Sequence, residues 1–258
     1  GAGDNAAAAV GTGVVGEGGC NISLGTSGTV FISSQKFGMD PNNALHAFAH
    51  ADGGWHLMGC MLSAASCNKW LCDDILKTTD YAAEQRDITP EKLGRNHVYF
   101  LPYLMGERSP INDTNARGTF IGMTMDTTRS DLVQAVLEGV AFAIRDSFEV
   151  ARSLGLDIPS TKICGGGSKS PLWRTIFANV LGIPLELLKT EQGPGYGGAM
   201  LAMVGCGRYP SVQAAADALV QVAGRGEPDT ELTERYEARY QQFRKIYPAL
   251  RQVFPQLL

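Results

Sequence analysis

Lys162-Ile163-Cys164-Gly165-Gly166-Gly167-Ser168-Lys169-Ser170-Pro171 carries the reading that decides the fold class of this 258-residue chain. It reads as a short strand over 162–164 that ends in three glycines and runs into a helix over 171–181. Such a junction points free helix N–H groups and the favourable end of the dipole at an anion, or leaves bare backbone for a flat base. A tight strand-to-helix turn that simply needs glycine has the same letters. At this point both readings stand.

On the C-terminal side the pattern predicts a strand over 184–188, a small-residue helix over 197–204 and an amphipathic tail over 232–254. On the N-terminal side Leu132, Val136, Val140, Ile144 and Phe148 recur at i+4, which predicts a long helix with Ser130 as its cap. Earlier come strands over 98–104 and 119–123, separated by a turn-rich loop over 105–117 long enough to be functional. A helix is expected over 62–76, with a polar helical stretch to about 93. Two strands over 21–24 and 29–33 form a hairpin around Gly25-Thr26-Ser27-Gly28, and two more are expected over 47–50 and 56–59. Strands in a run, then strands alternating with helices, predict an α/β domain with a mixed sheet flanked by helices. No internal repeat or low-complexity linker is visible.

The first sixteen residues, GAGDNAAAAVGTGVVG, predict a turn and a small-residue helix capped by Asp4 or Asn5 and ended by Gly11 or Gly13. An alanine-rich helix this short is marginal alone and needs a partner surface, expected to lie outside the chain. Gly1 is not a methionine, so the sequence is expected to be cut from something longer.

Composition narrows the class. The 44% hydrophobic and 19% charged content suits a folded domain with a substantial core. A net charge of −4 and the lack of a basic cluster argue against nucleic acid. Six cysteines without CxxC pairs read as reduced thiols and place the protein in the cytoplasm; with neither a leader pattern nor an apolar run of 18 residues, no membrane partner is expected. His46, His50 and His56 are too loosely spaced for a structural zinc site, so no metal-ligating residue is named.

Gly25-Thr26-Ser27-Gly28 could turn its N–H groups inward as a phosphate cradle, although a Gly/Thr/Ser turn is also an ordinary hairpin turn. Asp4 could take a proton from an attacking hydroxyl, with Asn5 orienting that hydroxyl, and still cap its helix.

One longer pattern joins these pieces. Gly118-Thr119-Phe120-Ile121-Gly122-Met123, then after seven residues Asp131-Leu132, then after two more Ala135-Val136-Leu137-Glu138, resembles the second signature of the FGGY carbohydrate kinases. That family includes glycerol kinases, xylulokinases, ribulokinases and gluconokinases. The start GAGDNAAAAVG resembles the xylulokinase form of the segment that holds the family's catalytic aspartate, and Glu107-Arg108-Ser109-Pro110 with Asn115-Ala116-Arg117-Gly118 is similar to a pentulose-kinase loop.

The resemblance implies a ribonuclease-H-like domain of the actin and hexokinase type. Residues 1–18 would be the last helix of a missing N-terminal domain, and 19–258 the nucleotide-binding C-terminal domain. It implies ATP and Mg2+, phosphorylation of D-xylulose to D-xylulose 5-phosphate by the full-length parent, and little activity from this chain alone. Asp4 would be the base and Asn5 a substrate contact. Gly25 and Thr26 would contact the nucleotide phosphates, while Gly166, Gly167 and Ser170 would line the adenosine pocket. Ser170 stands where glycerol kinases carry Asn, and Ala65 and Lys69 where they carry Gly and Gln. Ribulose, gluconate and polyol kinases are alternatives in the same class. The rival from another class is a non-catalytic nucleotide-binding or dimerisation module. Expected partners are a pentulose, the missing domain and a second copy in a homodimer.

Overall fold

A computed structural model describes residues 2–190 and 193–257. In chain order the elements are α1 (Asp4–Gly11), β1 (Cys20–Leu24), β2 (Gly28–Ser34), β3 (His46–Ala49), β4 (Trp55–Met61), α2 (Ala65–Lys69), α3 (Tyr81–Gln85), β5 (Tyr99–Leu101), β6 (Thr119–Ile121), α4 (Arg129–Ser153), β7 (Thr161–Cys164), α5 (Pro171–Leu181), β8 (Leu185–Leu188), α6 (Gly193–Gly205), α7 (Val212–Leu219), β9 (Val222–Gly226) and α8 (Thr230–Leu250).

Seven strands form one mixed sheet in the order β3-β4-β2-β1-β7-β8-β9, and β5 pairs with β6 separately. β1 is central, antiparallel to β2 and parallel to β7, with Ser23 opposite Cys164. Alternation along β1 explains its place: Cys20, Ile22 and Leu24 are buried in the main core with α4, α5 and α8. Phe31 on β2 belongs instead to a small cluster with Ala9 and Val14. Helices therefore cover both faces. α4 is buried over most of its 25 residues, as expected of a helix apolar on more than one side.

The partner of α1 lies within the chain. Val10 and Val15 share a cluster with Met200, Ala215 and Ala216 of α6 and α7. The backbones of α1 and α6 touch: a Cβ on Gly11 would sit 2.9 Å from the Gly197 nitrogen, and one on Gly197 would collide with the Ala7 carbonyl oxygen. Small residues let the two helices approach to backbone contact, which corrects the expectation of an absent surface. Gly1 lies outside the described residues.

Several predicted boundaries move for physical reasons. The helix expected over 62–76 is α2 followed by a π-helical turn, Trp70–Ile75. The polar stretch to 93 contains only α3 and a short 3₁₀ turn, Pro90–Lys92, because Pro90 cannot continue an α ladder. β5 stops before Pro102 for the same reason. The cap of α4 is Thr128, in a reciprocal box with Asp131, and Ser130 lies inside the helix. Neither Asp4 nor Asn5 caps α1: Gly3 occupies that position, and Asp4 is the first helical residue. α7, amphipathic but only eight residues long, and the mostly exposed β9 lie outside the elements that the sequence predicts.

Candidate functional site

The two glycine turns meet. Because β1 and β7 are parallel neighbours, their carboxyl ends open on the same edge of the sheet. From there β1 turns back into β2 on one side, while β7 leads through α5 to β8 on the other. This is a topological switch point, the place where open α/β sheets leave a crevice for ligands. The second turn packs against the end of β1, where the first begins: a Cβ on Gly165, whose φ is +90°, would sit 2.8 Å from the Leu24 carbonyl oxygen.

The first turn is fastened from behind. Ala64 N–H donates to Thr26 O at 3.0 Å, Ala65 N–H to Gly25 O at 2.8 Å, and Ser66 Oγ to Thr26 O at 2.7 Å. Two of these donors are otherwise unsatisfied amides of the α2 N-terminus, and the third is a serine hydroxyl. With its carbonyls held, the turn presents its other side: Thr26 and Ser27 are exposed. Among the described residues neither of their N–H groups has an acceptor. Two amide donors and two hydroxyls are thus left available on one exposed turn, groups of the kind that bind an anion.

The second turn divides its glycines by role. A Cβ on Gly167 would sit 2.6 Å from the Leu24 side chain and 3.0 Å from the Trp173 ring, so packing alone demands glycine. Gly166 faces open space with nothing within 4 Å, and its φ lies outside the left-handed region. A branched side chain at Gly166 would therefore not strain the backbone. Ser170 caps α5 by accepting the Trp173 N–H at 3.1 Å, and its hydroxyl donates to Gln85 Oε1 at 2.6 Å.

Asp4 and Asn5 are both exposed on α1. Asp4 Oδ1 accepts the Asn5 N–H at 2.8 Å, and among the described residues no hydrogen bond joins Asp4 to either turn. Thus Gly25, Thr26, Gly166, Gly167 and Ser170 share one edge, while Asp4 and Asn5 stand on another element.

Sequence reasoning missed the residues that fasten this edge. Gln85 ties α3 to Ser170, and its only signal was polarity in a stretch read as plain helix. Glu107 is buried, and one oxygen, Oε1, accepts from both Leu62 N–H at 2.8 Å and Arg108 N–H at 2.7 Å. Burial raises its pKa to about 7. The sequence marked its loop as potentially functional without singling out this carboxylate. Lys69 is ion-paired with Asp73, which also accepts from Tyr81 Oη at 2.8 Å.

Other candidates are packing groups. His50 Nε2 lies 2.8 Å from Val14 O. His56 stacks on Phe31 at 3.9 Å, and burial lowers its pKa to about 4. All six cysteines are unbridged, and burial raises Cys20 to about 12. Among the described residues no helix is long and apolar enough to cross a membrane.

Comparison with known proteins places this edge in context. Residues 20–206 match the model of the FGGY family of carbohydrate kinases, C-terminal domain. The chain is 38% identical to a xylulose kinase of Escherichia coli strain K12 over 258 residues, covering 97% of this chain and 52% of that relative. A crystal structure of a xyloylose kinase from Brucella ovis superposes with a TM-score of 0.91 at 40% identity, over 98% of this chain and 52% of that one. A gluconate kinase from Lactobacillus acidophilus superposes equally well, with a TM-score of 0.91 at 23% identity, over 100% of this chain and 52% of that one, a likeness of fold alone. The chain spans about half the length of the curated relatives it matches.

Proposed function

The chain belongs to the FGGY family of carbohydrate kinases, and from that premise we propose that it is the nucleotide-binding C-terminal portion of an ATP-dependent kinase that phosphorylates D-xylulose on its 5-hydroxyl. The fold is the actin- and hexokinase-like ATPase domain of these kinases. One observation supports the nucleotide site above the rest. Two glycine turns open at the carboxyl ends of adjacent parallel strands, and one of them keeps unfilled space at Gly166.

In this reading the amides of Gly25 and Thr26 hold the phosphates, and the backbone of Gly166, Gly167 and Ser170 forms the wall for adenosine. Asp4 accepts the proton of the attacking hydroxyl, and Asn5 orients the sugar. In-line phosphoryl transfer needs chiefly positioning and charge stabilisation, which fixed backbone donors supply without reorganising. Residues 1–18 would then end the preceding domain, seated on α6, with 19–258 as the nucleotide-binding domain.

ATP is the phosphoryl donor, and Mg2+ would neutralise charge on its phosphates. Among the described residues no three His, Cys, Asp or Glu side chains converge as metal ligands. A magnesium ion held largely by phosphate oxygens and water is compatible with that donor set. The sugar assignment draws on the xylulose kinase relatives at 30–40% identity; the fold does not select it, since a gluconate kinase shares it.

The test is a substrate panel on the chain joined to its N-terminal half. ADP release should depend on D-xylulose and exceed that with ribulose, gluconate or glycerol. Higher turnover with another sugar would replace the substrate assignment. ADP binding without turnover on any sugar would leave a nucleotide-binding module.

A further inference from the structure

Arg108 is an exposed cation that the reading above leaves unused, yet its backbone is fixed to the phosphate turn. The single oxygen Glu107 Oε1 holds both the Arg108 and Leu62 amides. Two residues beyond Leu62, Ala64 donates to Thr26 O. On the other side Ser109 N–H donates to Cys60 O at 3.1 Å. One hydrogen-bonded frame thus carries Arg108 and the Thr26 turn together.

Sheet register extends that frame. Cys60 lies opposite Thr29, Thr29 opposite Ser23, and Ser23 opposite Cys164. All four are half-buried and form a row of small polar side chains beside the turns. Along this row the Gly165–Gly167 turn follows β7, the Thr26 turn joins β1 to β2, and Arg108 stands beside β4. Strands are about 4.8 Å apart, so β7 to β4 spans roughly 14 Å, comparable with an extended nucleoside triphosphate. Adenosine at one end and the middle phosphates at Thr26 leave the last phosphate beside Arg108.

The charge there is unspent. Among the described residues the Arg108 guanidinium has no ion pair or hydrogen bond. Glu107 does not neutralise it by contact: Oε1 is taken by two amides, and Oε2 is buried without a hydrogen-bond partner among the described residues. Three cations of neighbouring elements are engaged elsewhere, Lys69 with Asp73, Lys162 with Gly13 O and Arg174 with Ser168 O, while the exposed Lys169 belongs to the glycine turn at the opposite end of the row. Burial raises the Cys60 thiol, and the Arg108 charge opposes that rise, so the cation is felt at the end of the row.

We propose that Arg108 binds the terminal phosphate of the nucleotide, supplying the full positive charge that the amides of the Thr26 turn lack. This deepens the kinase reading and rests on it. A planar guanidinium fits two phosphate oxygens at once, and the same contact would stabilise charge on the phosphoryl group in transfer.

Calorimetric titration of the chain with ATP, ADP and AMP, each with magnesium, tests the assignment. Arg108→Ala should weaken ATP binding roughly tenfold to a hundredfold, the scale of a hydrogen bond to a charged group. ADP should weaken less, and AMP binding should not change. Arg108→Lys should recover part of the ATP affinity, because it keeps the charge and loses the fork. The exposed side chain makes unchanged melting the expected control. ATP affinity equal to wild type in Arg108→Ala would overturn the proposal while leaving the kinase reading intact. So would an equal loss for ATP and AMP. Failure of the wild-type chain to bind any of the three would sink both.

Discussion

The seam between α4 and α8 and the glycine edge of the sheet are both crowded with polar groups, yet they treat them in opposite ways. In the seam, Glu138 accepts from Arg239 at 2.8 Å, Tyr236 at 3.0 Å and Gln134 at 2.8 Å. Arg145 pairs with Glu149 and Glu237, and Tyr240 Oη donates to Asp146 at 2.6 Å. At the glycine edge, among the described residues, Thr26 and Ser27 keep unpaired amides, Gly166 keeps empty space, and Arg108 keeps an unpaired charge. Apart from Arg239 Nε, the buried groups of the seam find their partners inside the protein, whereas the groups of the edge are exposed and stay available to a ligand. Residues of the seam should therefore govern stability, and those of the edge should govern binding and turnover.

The largest expected effect is Asp4→Asn in the chain joined to its N-terminal half. Turnover should fall roughly 10²- to 10⁴-fold, the usual worth of a general base. Melting should stay within error, since Asp4 is exposed and does not cap α1. Near-normal turnover with a lowered melting temperature would place Asp4 with the seam residues instead.

Glu138→Ala makes the opposite case. It leaves the buried Arg239 charge without its carboxylate, a loss of about 3–5 kcal/mol of stability. ADP affinity of the remaining folded protein should not change. Denaturant unfolding beside calorimetry reads both quantities, and a weakened ADP site in a protein of normal stability would break the contrast.

Adjacent glycines sharpen it within three residues. Gly167→Ala should cost about 1–3 kcal/mol by overpacking against Leu24 and Trp173. Gly166→Val should melt normally and weaken ADP roughly tenfold or more, the scale of a 1.4 kcal/mol loss. If the valine variant holds ADP as wild type does, the open space is not the adenosine wall.

The smallest effect belongs to Ser170→Ala. Loss of the α5 cap should lower stability by about 1 kcal/mol. ADP affinity should shift less than the melting point implies, because both hydrogen bonds of this hydroxyl are made within the protein. A large affinity loss at constant melting would move Ser170 into direct contact with the base.

Much of this architecture was legible in the letters. The hairpin around Gly25–Gly28 and the strand–glycine–helix stretch at 162–171 stood out because turn chemistry and periodicity are local. Residues 62–93 read poorly, since a π turn and Pro90 break the period that a helix prediction relies on. The letters alone do not place the cap of α4, because Thr128 and Ser130 offer the same hydroxyl, and only the reciprocal bond with Asp131 separates them. At the site, residue types were visible but their use was not. Glu107 and Gln85 gain meaning from partners at positions 62 and 170, and Arg108 from the bond its neighbour Ser109 makes to Cys60, all far away along the chain.

By itself the sequence determined the α/β class, the two glycine turns and the family resemblance, because each resides in short stretches whose backbone preferences are local. Only the tertiary structure decided that the turns share one sheet edge, that α1 finds its partner in α6, and that Gly167 serves packing while Gly166 faces open space. The physical reason is that strand pairing joins residues some 140 positions apart, as Ser23 to Cys164, and whether a glycine is spent on a neighbour or left open depends on atoms its own segment does not contain.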